Sequence, residues 1–478
     1  MTRTSLGDDR HGRRRGLAAW ACCTALLALC STRARAEAIA PELREVYVGK
    51  AGDEAFRLVV VAEGYTGADR SAFFADATVT VNGLLQGPPY AFVAPWLEVY
   101  GLFVESAQRG ADRPGKGIQV STAFDATFGA FNVDRLLTVD NGKVLSAVAA
   151  ALPGFDVAIA LVNDDKYGGS GGPVTVVSLN AASLDILRHE LAHTLAKVAD
   201  EYETPYPGYP PGDSEPNVTA AAHLSPLKWQ AWVEGEVAIP TAISDATGPF
   251  TPIGAYEGAR FQAKGMYRPA PTCIMRQLGV GFCPICLEAV LGAVAHEVFS
   301  VTAVAPQVTE GVVCGGNGCP LFGVAFPPHP SIVARWQLDG EEFGTGISVR
   351  PAPKTLGSHT VTATLDVETP LIRGPMRASL RQERSWTLNV IALPEVDAGP
   401  GPDVAMVDAQ DAAEKDTAPT EPPTPAVDVG CGASPLRAGP RQPSSPHAAA
   451  LMALLVALGW SMACRARATR PGRRQEMP

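Results

Sequence analysis

Residues 184 to 202 read Leu184-Asp-Ile-Leu-Arg-His189-Glu-Leu-Ala-His193-Thr-Leu-Ala-Lys-Val-Ala-Asp200-Glu-Tyr202. Leu184, Leu187, Leu191, Leu195 and Val198 recur at helical spacing and trace one apolar stripe. At about 100° per residue, Leu187 and Leu191 point nearly opposite His189, so one face packs while the other carries His189, Glu190 and His193. Two histidines four apart, with a carboxylate directly after the first, can close around one Zn²⁺ and leave that carboxylate beside the fourth coordination position.

A catalytic zinc takes three protein ligands and a water. In a continuous helix Asp200 would lie about 16 Å along the axis from His189, at 1.5 Å per residue, far outside coordination distance. The helix is therefore expected to end soon after His193 and the chain to turn back, with the turn at Ala196 and Asp200 as third ligand. Ala accepts a left-handed conformation there at about 1 to 2 kcal/mol. Glu201 and Glu288, the latter on a later helix, are the competing third ligands.

Outward from this stretch, Val174-Thr-Val-Val-Ser178 precedes the helix. Arg57-Leu-Val-Val-Val-Ala62 and Phe155-Asp-Val-Ala-Ile-Ala-Leu-Val162 are short continuous apolar runs bounded by Gly, Pro and charge, as buried strands are. Their alternation with helical patterns predicts a mixed α/β domain over residues 37–297. From 298 to 393 the texture changes to short alternating strands such as Ser331 to Trp336 and His359 to Thr364, which predicts a small all-β, Ig-like sandwich.

Both ends read as targeting segments. Arg13-Arg14-Arg15, the apolar run Leu17 to Leu29 and Ala34-Arg35-Ala36 form the three regions of a secretory signal over 1–36. Residues 394–446 are an acidic, Pro- and Ala-rich linker; nine Asp and Glu against one Lys between 395 and 428 account for most of the net charge of -10, so the rest is near neutral and nucleic-acid binding is not expected. Residues 447–478 hold the apolar stretch Ala448 to Ala463 and the cluster Arg465, Arg467, Arg470, Arg473, Arg474. With Cys431 they resemble a MYXO-CTERM-type sorting tail, implying transient or permanent membrane association; a single-helix anchor is the alternative. Export, with the protein secreted or held at the envelope, follows from both ends.

Cys283-Pro-Ile-Cys286 has metal or redox spacing, but with only Cys273 near it a disulfide between Cys273 and one of the pair is expected. Cys314 and Cys319 are expected to close a small loop.

The segment His189 to Tyr202 is similar to the signature of the IgA-peptidase family of zinc metallopeptidases, whose usual form has Gly where this chain has Ala196. Further pieces match in order: Glu63-Gly-Tyr65, Ser106 to Gly110 with Pro114, Tyr167-Gly-Gly-Ser-Gly-Gly172, Glu215-Pro-Asn-Val-Thr219, Gly265-Met-Tyr-Arg-Pro269, Cys273-Ile-Met275 and Phe282-Cys-Pro-Ile-Cys286. The resemblance implies a zincin-like, metzincin-like α/β peptidase domain holding one Zn²⁺ per chain through His189, His193 and Asp200, with Glu190 as catalytic acid/base and Met275 in a turn below the metal. Tyr267, Arg268 and Tyr202 are the candidates for the developing oxyanion, Tyr267 foremost. The Gly168 to Gly172 run either lets a substrate backbone pair with an edge strand or is an ordinary turn. The expected activity is endopeptidase cleavage of protein or peptide substrates. A catalytically silent adhesion protein on the same scaffold and a cell-wall peptide amidase are the alternatives.

Overall fold

The computed structural model describes residues 39–392, apart from 207–208, 222, 224, 226, 246–250 and 316–317. The signal, linker and tail read from the sequence lie outside the described residues. Among those described, no helix is long and apolar enough to cross a membrane.

The N-terminal part is built on a six-stranded mixed sheet. Its strands are β1 (Glu42–Val48), β2 (Phe56–Glu63), β3 (Leu97–Phe103), β6 (Val157–Val162), β7 (Gly169–Ser170) and β8 (Thr175–Ser178), in the order β1-β3-β2-β6-β8-β7. The four inner strands run parallel; β1 and β7 are antiparallel edges. A two-residue ribbon, β4 (Thr127–Phe128) with β5 (Leu137–Thr138), lies beside it.

Parallel strands covered on both faces read as unbroken apolar runs, and β2 shows why. Leu58, Val60 and Ala62 enter one core cluster with helices α1 (Arg70–Leu84), α4 (Ser183–Ala196) and α5 (Pro284–Val298). Val59 and Val61 face the other way, toward α3 (Asn141–Ala151), Phe124 and Phe128. A single helical turn, α2 (Tyr90–Val93), leads into β3. The remaining pair, β9 (Tyr256–Ala259) with β10 (Gln262–Arg268), forms a separate hairpin near the end of α4.

Residues from 303 onward form two further sheets. One has the order β11-β13-β16, from β11 (Ala303–Ala305), β13 (Phe322–Ala325) and β16 (Ser348–Val349). The other has the order β12-β18-β17-β14-β15, from β12 (Val312–Cys314), β14 (Ile332–Leu338), β15 (Glu341–Thr345), β17 (Gly357–Val367) and β18 (Gln382–Val390). Trp336 stacks on Trp386 at 5.6 Å between ring centroids, and Phe322 meets Trp386 edge-on at 5.5 Å. Cys314 and Cys319 are joined in a disulfide, as their spacing suggested.

A short helix the sequence did not reveal, α6 (Gly374–Leu380), sits between β17 and β18 and packs Met376 against Gly292 of α5. His329 adds a second tie: its Nε2–H donates to the Phe92 carbonyl at 2.8 Å while its ring lies between Phe92 and Trp96. The buried apolar cluster is accordingly continuous from β2 through α5 to Trp336.

Leu191, fully buried on α4, bears on this core. Leu191→Ala is expected to lower the unfolding free energy by about 2 to 5 kcal/mol in a denaturant titration. Val79→Ala, at a 72% exposed position of α1, is expected to shift it by less than about 0.5 kcal/mol.

Candidate metal centre

Helix α4 carries His189 and His193 one turn apart on one face, so their rings stand side by side. Each ring is oriented by a backbone carbonyl: His189 Nδ1 bonds Ile274 O at 2.9 Å and His193 Nδ1 bonds Val198 O at 2.7 Å. A carbonyl can only accept, so both Nδ1 atoms carry a hydrogen and both Nε2 atoms are turned toward Asp200, each free to hold a proton or a metal. Those two Nε2 atoms lie 3.1 Å apart. Asp200 Oδ1 stands 3.2 Å from one and 3.5 Å from the other.

The helix stops at Ala196 and the chain turns back, as the position of Asp200 required. The left-handed residue, however, is Lys197 (φ 55°) and not Ala196, which completes the last helical turn. Lys197 N–H closes onto His193 O at 3.2 Å, and its ammonium reaches Thr194 O at 2.6 Å, so local bonds offset the cost of that conformation. The returning segment is then bracketed by a side chain that sequence reasoning gave no role. Asn217, fully buried, accepts from Ala199 N at 2.7 Å, donates to Ala199 O at 2.9 Å and donates to Glu201 Oε1 at 3.0 Å. Arg260 N donates to Asp200 O and Phe261 N to Tyr202 O, laying residues 200–202 against the β9–β10 turn.

From the other side, Cys273, Ile274 and Met275 form a tight turn, closed by Arg276 N onto Cys273 O. Ile274 O orients His189, and Met275 O accepts from Glu201 N at 2.9 Å. Met275 itself is fully buried.

Glu190 shares the buried space, and its carboxylate accepts the Gly171 N–H. Gly171 has to be glycine: a Cβ there would lie 2.8 Å from Glu190 O and 2.9 Å from His193 Cβ. The neighbouring β7 is not an open edge, because Leu136 bridges Gly169 and Ser170 Oγ bonds Leu137 O at 2.6 Å. The Leu136 bridge thus occupies the outer side of β7 at Gly169, where an added strand would have to pair. Glu63, of the Glu63-Gly-Tyr65 motif, is a strut: its buried carboxylate holds Thr122 Oγ1, Phe124 N and Ala126 N.

The electrostatics match a cation site. Burial pushes the Glu190 carboxyl up against the pull of the two imidazoles. Burial would depress His193, but Asp200 and Glu190 outweigh it and lift the imidazole to about 9. Asp200 Oδ1 is buried with no hydrogen-bond donor. With both Nδ1–H groups committed to carbonyls, the two Nε2 atoms and Asp200 Oδ1 converge on one point, and the raised His193 shows that the point draws in positive charge, a proton where no metal is bound. Once zinc displaces the Nε2 proton, two imidazoles and a carboxylate are a donor set that suits it with one position left open.

Of the competing carboxylates, Glu288 is engaged elsewhere, accepting from Trp232 Nε1 at 2.8 Å and Arg373 N at 2.6 Å. Glu201 turns away toward Cys286. Tyr267 lies on β10 with its backbone paired to Thr219 and its phenol near Lys264. The Tyr202 ring lies 6.5 Å from that of His189 between centroids, and burial with Asp200 and Glu190 nearby pushes its phenol well up, so it stays protonated. Arg135, half-buried and within electrostatic reach of Glu190 and Asp200, has an unpartnered Nη2; nothing in its sequence surroundings marked it. Cys273, Cys283 and Cys286 are all free thiols, contrary to the expected disulfide.

The model of the family described as IgA Peptidase M64 matches residues 46–251 and 243–294, together more than half of the chain. The chain belongs to that family. No curated protein matches it. As an M64 peptidase it is a hydrolase of peptide bonds in protein or peptide substrates, and zinc is the family's usual metal.

If Asn217 holds the returning segment in place, Asn217→Ala should weaken metal binding about 10- to 100-fold, read by chelator competition, while the far-ultraviolet circular dichroism is retained.

Proposed function

We propose that this protein is an exported zinc endopeptidase in which His189, His193 and Asp200 hold the metal and Glu190 moves the proton. The observation that carries the reading is the convergence of two tautomer-fixed Nε2 atoms and an orphaned carboxylate oxygen beside a buried Glu. Zinc held there would supply Lewis acidity, making a water acidic near neutral pH and polarising the scissile carbonyl.

Glu190, fixed by the Gly171 N–H and raised by burial, accepts a proton from the attacking water and passes it to the departing amine nitrogen. Tyr202 keeps its phenolic proton and donates toward the oxygen on which charge develops. Arg135 adds positive charge on the same side of Glu190 and Asp200.

The six-stranded sheet with α4 across it supports a zincin-like fold, and the two C-terminal sheets with their tryptophan core support an Ig-like unit. Export rests on the signal and tail sequences; the Cys314–Cys319 disulfide agrees with an oxidising compartment. The family name does not fix the substrate, and nothing in the site selects immunoglobulin A over other proteins.

Glu190→Gln is expected to reduce cleavage of casein and of a quenched peptide library by about 10² to 10⁴-fold with metal content unchanged. Casein left uncut by the unaltered protein while peptidoglycan peptides are cleaved would favour the amidase reading, and no cleavage of either would favour a silent scaffold. Tyr202→Phe is expected to lower kcat about 10² to 10³-fold with KM little changed. If Tyr267→Phe does so in its place, the oxyanion role passes to Tyr267.

A further inference from the structure

Behind the turn that carries Asp200 lies a second convergence of donors. Glu201 from the returning segment, Cys273 from the 273–275 turn, and Cys283 and Cys286 from the start of α5 bring one ligand atom each to within 4.8 Å of one another. All four side chains are buried. The three sulfurs are thiols, and Glu201 keeps one oxygen, Oε2, without any hydrogen-bond donor.

We propose that Glu201, Cys273, Cys283 and Cys286 form a second, structural zinc site. An isolated buried carboxylate oxygen is costly, and three thiols cannot pair off: any disulfide among them would leave one sulfur and the carboxylate unmatched. One divalent cation satisfies all four. Three thiolates and a carboxylate form a soft to borderline tetrahedral set, which favours zinc over calcium or magnesium. With four protein donors and no opening for water, the site is closed and therefore structural.

The surroundings fit a bound cation with thiolate ligands. Cys283 is the N-cap of α5 with Pro284 at its first position, so Cys283 and Cys286 sit at a helix start, where the peptide dipoles favour negative sulfur. Cys283 N–H donates to Cys273 Sγ at 3.3 Å, and Asn217 Nδ2 orients Glu201 by donating to Oε1 at 3.0 Å. Four anionic ligands around Zn²⁺ leave two negative charges. Two guanidiniums offset them: Arg276 donates to Glu201 O at 2.9 Å, and buried Arg268, whose Nε has no partner, stands within electrostatic reach of Glu201.

The position gives the site a purpose. Glu201 follows Asp200, Cys273 precedes the Ile274 carbonyl that orients His189, and Glu201 N bonds Met275 O. A zinc ion here would lock together the two irregular segments that aim the catalytic ligands, and fasten both to α5. It would act through their positions without touching substrate.

The test uses the full chain. Metal analysis of the purified protein is expected to give two zinc ions per chain, and His193→Ala, which damages only the first site, is expected to keep one. Cobalt exchange should produce thiolate-to-cobalt charge-transfer bands in the near ultraviolet, persisting in His193→Ala, since the first site has no sulfur. Alkylation without reductant should spare Cys273, Cys283 and Cys286 in the folded protein. It should label all three after unfolding with chelator, read by peptide mass spectrometry. A single zinc lost in His193→Ala, or Cys273 recovered in a disulfide with Cys283 or Cys286, overturns the second site and leaves the first standing. A single zinc retained in His193→Ala, with the charge-transfer bands, supports the second site and overturns the first.

Discussion

Two imidazole Nε2 atoms, 3.1 Å apart in a buried space and facing one carboxylate oxygen, hold together only with positive charge among them, a proton or a metal ion. Much of the N-terminal part serves to enforce that arrangement. The parallel strands fix α4; the Ile274 and Val198 carbonyls choose the histidine tautomers; the left-handed Lys197 reverses the chain so that Asp200 arrives where a continuous helix would have carried it far away.

The irregular segments that do this contribute little regular hydrogen bonding of their own, so they depend on side chains. Asn217 splints Ala199, Gly171 admits the helix by having no Cβ, and the Ile274 carbonyl reaches His189 only because the Cys273–Met275 turn is held closed. A second metal binding Cys273 and Glu201 would stiffen the same two segments, linking the chemistry at His189 to the packing of α5 and, through Met376 and Arg373, to the C-terminal sheets.

The sequence made legible whatever has a short period or a fixed local spacing. The runs at 57–62 and 155–162 became β2 and β6 because they are apolar on both faces. The stripe from Leu184 to Leu195 became α4, and the reach argument for Asp200 anticipated the chain reversal. What it did not reveal depends on contacts between distant segments. Lys197 gives no sign that it, and not Ala196, adopts the left-handed turn. Glu201 reads as a mere neighbour of Asp200 until the fold brings it to cysteines far along the chain, and for that reason the spacing of Cys273, Cys283 and Cys286 suggests a disulfide where the structure has three thiols. Asn217 acts through three side-chain hydrogen bonds and Arg135 through its charge, and neither leaves a pattern in composition or periodicity.

The central claim is that one zinc ion bridges His189, His193 and Asp200. Crystals of the full chain, measured on either side of the zinc absorption edge, test it most directly. The account predicts an anomalous peak bonded to both Nε2 atoms and to an Asp200 oxygen, with Glu190 beside it. A peak bound by another carboxylate with Asp200 turned away, or no peak between the two histidines, would contradict it.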